Sequence, residues 1–252
     1  RSGICCVEDS DASDINSLLD RANMALKTIK VKGAAQWKFY DHTMRDKLLR
    51  EKDLEIRMEK ALADGEFLVY IQPKYWVGTR ALAGGEALVR WKSPDQGFLS
   101  PGEFIPLFEK NRFIVKLDQF MFTSVCGLLR QWLDAGIEPR PLSVNVSRMQ
   151  FHTPDFVERY IRIKSQYAIP DGLLELEFTE SIFFDNVALL SSAVHELRRA
   201  GIKCSIDDFG AGYSSLNVLK ALPVSVLKLD GMFFRTAKDD EQAKIVIRNI
   251  MR

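Results

Sequence analysis

The residues of this chain predict an α/β protein: a TIM-like (β/α) barrel with an antiparallel first strand, preceded by a small α/β segment. Three observations carry that reading. From residue 66 onward, short apolar runs alternate with stretches of helical periodicity, the pattern of βα units around a parallel sheet. The first two apolar runs lie too close together for a parallel crossover. Several runs also end in acidic, amide or basic residues, at the strand ends where a parallel barrel gathers its chemistry.

Taken in order, SGICCVED, the periodic DINSLLDRANMALKTIK and QWKFYD read as strand, helix and strand, the closing part of a separate α/β unit over residues 1–41. About 40 residues of this kind are marginal on their own. The charged helix RDKLLREKDLEIRMEKALADG makes 42–65 a linker, and the barrel domain occupies 66–252. EFLVYIQPKYWV (66–77) and ALAGGEALVRW (81–91) are strands with only Gly78, Thr79 and Arg80 between them. A parallel crossover needs roughly a dozen residues, so this pair is an antiparallel hairpin. Helices follow at PGEFIPLFEKNRF and VKLDQFMFTSVCGLLRQWLDAG, then a strand at PLSVNVS (141–147) and a helix at DFVERYIRIKSQY. LLELEFTE (173–180) is a strand, VALLSSAVHELRRAG a helix stopped by Gly201, and IKCSI a strand. SSLNVLKAL is helical with Pro223 beyond it, VSVLKLD (224–230) is a strand, and DEQAKIVIRNIMR is a last helix.

The strand count from residue 66 stops at six, short of a closed barrel. An open barrel exposes two strand edges and half a core. The sequence is therefore expected to be a piece of a longer protein, cut before the barrel closes and inside the unit ahead of it. Composition narrows the partners. A net charge of +1 argues against a broad surface for a large nucleic acid. No apolar run reaches the roughly 18 residues of a membrane span, and the first residues are not a signal peptide. Cys5, Cys6, Cys126 and Cys204 have neither metal-ligand spacing nor a disulfide framework, which suits a reducing cytoplasm.

The stretch IKCSIDDFGAGYSSL poses the chemical question, because Asp207 and Asp208 follow a buried apolar run directly. Adjacent carboxylates repel, and desolvating them is costly without a compensating cation or donor. By themselves these residues fit a surface turn as well as a metal site. The other strands favour the second. Period-2 alternation places Glu86, Leu88 and Arg90 on one face, as it does Ser143, Asn145 and Ser147, Glu175, Glu177 and Thr179, and the pair Lys228 and Asp230. Oxygen ligands of this kind suit hard divalent cations such as Mg²⁺. Two close cations bridged by one carboxylate would explain the paired aspartates and could clamp a phosphodiester.

These residues resemble the EAL domain of cyclic di-GMP phosphodiesterases. The triplet Glu86-Ala87-Leu88 is weak alone, but YIQP, GGEALVRW, GFLSPGEFIPLFE, SVNVS, ELEFTES, SIDDFGAGYSSL and LKLD occur in the family's order over about residues 47–252. The resemblance implies hydrolysis of cyclic di-GMP to linear pGpG with Mg²⁺ or Mn²⁺ at a two-metal site. It implies Glu86, Asn145, Glu177 and Asp207 as ligands of one metal, with Asp207 and Asp208 on the other. Lys228 then orients or activates the attacking water, and Glu180 steadies the loop Phe209–Ser215 after the two aspartates. Gln72, Leu88 and Arg90 fall at substrate-contact positions, Arg90 on a phosphate, which its fork of donors suits. A homodimer through the EAL domain is a further implication.

Two departures qualify the resemblance. Family members carry a further glutamate in an EGVE-like stretch and a later QG motif, both beyond the lysine strand, and this sequence stops at Arg252. The expectation is a phosphodiesterase parent, with this piece impaired. Residues 1–41 are similar to the end of a GGDEF domain, but Asn23 stands where an aspartate is usual and KGAAQ replaces a GRN-like ending. The parent could be membrane-anchored through upstream segments while this part stays cytoplasmic. The runner-up reading is a catalytically silent EAL domain that acts as a cyclic di-GMP receptor. Intact metal positions and an intact loop pattern favour the enzyme.

Overall fold

The computed structural model describes residues 1–7, 14–29, 36–180, 182, 187–210 and 223–231. The predicted helices SSLNVLKAL and DEQAKIVIRNIMR lie outside them. The chain divides into two compact units, Arg1–Ala63 and Asp64–Arg252.

In the first unit, β1 (Ser2–Ile4) pairs in parallel with β2 (Trp37–Phe39), with α1 (Ile15–Lys27) between them in sequence. Asp14 starts α1 because its carboxylate accepts the backbone N–H groups of Asn16 and Ser17 at 2.7 and 3.0 Å, two donors that the first turn leaves unpaired. The charged helix α2 (His42–Ala63) completes the unit.

The second unit is built on one sheet. The expected hairpin is present: β3 (Phe67–Tyr75) runs antiparallel to β4 (Leu82–Ser93), with Gln72 opposite Glu86. From β4 the sheet continues in parallel through β6 (Leu142–Asn145), β7 (Leu174–Thr179), β8 (Lys203–Phe209) and β9 (Val226–Leu229). A short strand, β5 (Gly97–Leu99), folds back on the end of β4, and its three residues are too few to show a periodicity in sequence. Among the described residues the path ends at β3 and β9 without closing.

Helices α3 (Pro101–Lys110), α4 (Ile114–Asp134), α5 (Phe156–Gln166) and α6 (Val187–Arg199) connect the strands. The start of α3 is set by Pro101 in its first turn and by Glu103, whose carboxylate accepts the Ser100 N–H at 3.3 Å. Alternation sorts the strand residues. Leu142 and Val144, Leu174, Leu176 and Phe178, and Cys204 and Ile206 belong to the apolar core with Phe122, Leu129, Tyr160 and Val194 of the helices. The odd-numbered residues of β6 to β8 therefore face the other way, and Ser143, Glu175, Glu177 and Ser205 are buried there.

One boundary differs from expectation. The β8 strand was expected to end at Ile206, yet it runs through Asp207 and Asp208 to Phe209. Phe209 is buried and its carbonyl accepts the Asp230 N–H, which carries the pairing past the two charges.

Candidate active site and metal centre

The register of the parallel strands brings together residues far apart in sequence. Asn145 of β6 lies beside Glu177 of β7, and Thr179 lies beside Asp207 of β8. Glu86, Glu177 and Asp207 each offer a carboxylate oxygen, and these oxygens lie within 4.8 Å of one another. Lys228 sits among them, its Nζ 3.0 Å from Glu86 Oε2, 2.6 Å from Glu177 Oε2 and 2.8 Å from Asp207 Oδ2. Burial works against the Lys228 charge, but the hydrogen bonds to Asp207 and Glu177, with Glu86 beyond, outweigh it and hold the ammonium above its ordinary range. Glu177 is almost fully buried. Burial pushes its carboxyl up, and hydrogen bonds from Lys228, Lys74 and Ser143 more than reverse this, so it stays ionised to lower pH than usual.

Asn145 donates from Nδ2 to Glu86 Oε1 at 2.8 Å, which ties the amide to the same group. Asp208 stands beside it under different conditions. Between Ile206 and Phe209 the pairing with β9 shifts by one residue, and Asp208 takes a left-handed φ of 53°. Such a bulge re-aims side chains, and aspartate tolerates that conformation better than most residues. In a regular strand Asp207 and Asp208 would point to opposite faces. Here burial first, then the charges of Asp207, Asp230 and Glu86, push the Asp208 carboxyl above its ordinary value. A group so placed favours an added cation. The three convergent carboxylates, with an amide alongside, are the oxygen-rich donor set that a hard divalent cation takes.

The remaining predicted positions surround this group. Glu180 is buried, and its Oε2 accepts the Gly210 N–H at 2.8 Å, at the start of the loop it was expected to steady; the rest of that loop, 211–215, lies outside the described residues. Gln72 is exposed on β3 opposite Glu86. Leu88 and Arg90, together with Asn145, line a cavity of about 270 Å³. The Arg90 guanidinium lies over the Tyr70 ring, 5.6 Å from its centroid, and donates to the Val89 carbonyl at 2.8 Å.

Two residues escaped the sequence reading. Lys74 reaches Ser143 Oγ at 2.7 Å and Glu177 Oε1 at 2.6 Å. Its signal was the period-2 spacing from Gln72, which puts both on one face. Asp118, inside apolar α4, is buried and accepts from the Ser147 N–H at 2.9 Å and from Gln150 Nε2 at 3.3 Å, which fixes the turn after β6. Burial pushes its carboxyl up to about 7, against those two donors. A carboxyl held protonated in the fold costs stability once pH exceeds its unfolded value, by about 1.4 kcal/mol per pH unit until the folded value is reached. The melting temperature of Asp118→Asn is therefore expected to gain on wild type as pH rises from about 4 to about 7. An equal difference at both ends would show that Asp118 does not titrate in that window.

A carboxylate cluster carried across the parallel strands of an α/β sheet defines the class of this protein. The chain belongs to the EAL domain family, whose model matches residues 56–252. It is 35% identical over 254 residues to a protein of Synechocystis sp., covering 98% of this chain and 36% of that one. The bifunctional diguanylate cyclase/cyclic di-GMP phosphodiesterase MucR of Pseudomonas aeruginosa is 32% identical over 237 residues, 94% of this chain and 35% of MucR. The chain thus spans about a third of the length of these relatives. The solved structure of the PaMucR phosphodiesterase in complex with c-di-GMP matches with a TM-score of 0.71 at 34% identity, over 77% of this chain and 79% of that one. Among the described residues, no helix is long and apolar enough to cross a membrane.

Proposed function

We propose that this chain is the catalytic part of a phosphodiesterase that hydrolyses cyclic di-GMP to pGpG. The observation that carries it is the convergence of Glu86, Glu177 and Asp207 around Lys228, with Asn145 bonded to Glu86. MucR, named for this activity, supports the same substrate. Mg²⁺ or Mn²⁺ would be held by Glu86, Asn145, Glu177 and Asp207, with a second ion on Asp207 and Asp208. Ions held there would supply polarisation of the phosphodiester and activation of a water as nucleophile. The chain's own residues do the rest. Lys228, an ammonium set among the three carboxylates, orients the attacking water, and Arg90 pairs with a phosphate through its planar fork. Gln72 and the Leu88 segment place the remainder of the ligand, and Glu180 holds the start of the loop after Asp208.

The sheet is, in this reading, the greater part of a TIM-like barrel, and Arg1–Asp41 the end of a GGDEF domain. The domain works in the cytoplasm and pairs as a homodimer. The test is the appearance of pGpG from cyclic di-GMP with Mn²⁺ or Mg²⁺, wild type against Asp207→Asn, both in a parent protein that carries this sequence. Loss of at least 100-fold in the variant is expected for removal of a metal ligand's charge, on the order seen when a single electrostatic catalytic group is removed. Binding of cyclic di-GMP without turnover by wild type would make the protein a receptor instead.

A further inference from the structure

Glu177 differs from the other carboxylates of the cluster in being held at both oxygens by ammonium groups. Lys228, from β9, takes Oε2 at 2.6 Å, and Oε2 shares that ammonium with Glu86 and Asp207. Lys74, from β3 at the other end of the sheet path, takes Oε1 at 2.6 Å. The Lys74 ammonium is anchored in turn by Ser143 Oγ at 2.7 Å, and Ser143 is buried on β6. The terminal torsion of a glutamate is broad and soft when free. With a charge-assisted bond at each oxygen it cannot turn without breaking one of them.

We propose that Lys74 is a positioning residue: it fixes the Glu177 carboxylate so that Oε2 is the oxygen presented to a divalent cation between Glu86 and Asp207. This rests on the metal reading given above. Lys74 hydrogen-bonds Glu177 and Ser143 rather than Glu86 or Asp207, so its influence on the cation runs through Glu177. Outer partners that orient a metal-binding side chain are worth about 10–100-fold in metal affinity.

The test is a titration of the metal-free chain with Mn²⁺, reading free Mn²⁺ by electron paramagnetic resonance, so that turnover is not needed. Lys74→Met is expected to weaken Mn²⁺ binding by about 10–100-fold, and Lys74→Arg, which keeps the charged tether, to recover most of it. A folded Lys74→Met that binds Mn²⁺ within about threefold of wild type would overturn the proposal, that change being well below the roughly tenfold minimum expected of an orienting partner. Equal losses in the Met and Arg variants would overturn it too, because packing rather than the tether would then matter. If Lys74→Met does not fold, Lys74→Gln decides, since it removes the charged tether and keeps a polar side chain: binding weakened more than about threefold supports the positioning role, and unchanged binding rejects it. Asp207→Asn separates the two layers. If Mn²⁺ binding responds to Asp207→Asn and not to Lys74, only this proposal fails; if it responds to neither, the metal reading fails as well.

Discussion

Lys228→Met is expected to lose turnover of cyclic di-GMP by about 100-fold to 1,000-fold, the range for removing one preorganised hydrogen-bond donor. It should also destabilise the metal-free protein. The ammonium lies within hydrogen-bond distance of three carboxylates, one of them almost fully buried. Removing it takes a counter-charge from all three, and among the described residues Glu177 alone keeps another ammonium, that of Lys74. Breaking a buried ion pair costs about 3–5 kcal/mol, and the Lys228 side chain is 26% exposed, so about 2–4 kcal/mol is expected near neutral pH. The sign with pH follows from the carboxylates. Without the Lys228 hydrogen bond, burial pushes the Glu177 carboxyl upward from its depressed position, so stability relative to wild type is lost as pH climbs through the ordinary carboxylate range. The deficit against wild type should therefore shrink on acidification, and Mn²⁺ should restore part of it by taking the place of the lost charge. Thermal melts at acidic and neutral pH, with and without Mn²⁺, measure all of this. A constant deficit at every pH would mean that the cluster does not depend on Lys228 for charge.

Trp91→Ala is expected to have the largest effect on stability alone, about 3–5 kcal/mol. Trp91 is fully buried on β4 and packs against Phe67, Phe104 and Phe108 at centroid distances of 4.9, 5.6 and 5.8 Å. Its indole N–H donates to Glu66 Oε2 at 2.7 Å. The ring thus joins the hairpin to α3, and the truncation leaves a cavity and removes this hydrogen bond to Glu66. Trp91→Phe keeps much of the ring contact and gives up the hydrogen bond, so about 1–2 kcal/mol is expected. Urea midpoints of the two variants separate packing from the hydrogen bond. Similar losses in both would assign the effect to Glu66 rather than to the cavity.

Among the described residues, the sequence by itself determined the order of the long strands and their helices, the antiparallel start and the core-facing residues of the central strands. Gly78, Thr79 and Arg80 left no room for a crossover, and β3 and β4 pair antiparallel accordingly. Alternation separated Glu175 and Glu177 from Leu174, Leu176 and Phe178, and the core contains only the second set. Motif order was enough to point to the EAL family. What tertiary structure decided was how these faces meet. Glu86, Glu177, Asp207 and Lys228 come from four strands, and their convergence depends on register, where a slip of one residue turns every side chain to the opposite face. Local periodicity holds no information on register between strands. The bulge at Asp208 was hidden for the same reason, because it is a mismatch in length between β8 and β9. Lys74 read as one polar residue in a hairpin strand, and Asp118 as one acid in an apolar helix. Their roles arise from partners 103 and 29 positions away, Glu177 and Ser147. A buried charge is stable only where the fold delivers its counter-charge or donor, and that delivery is a property of the packed chain.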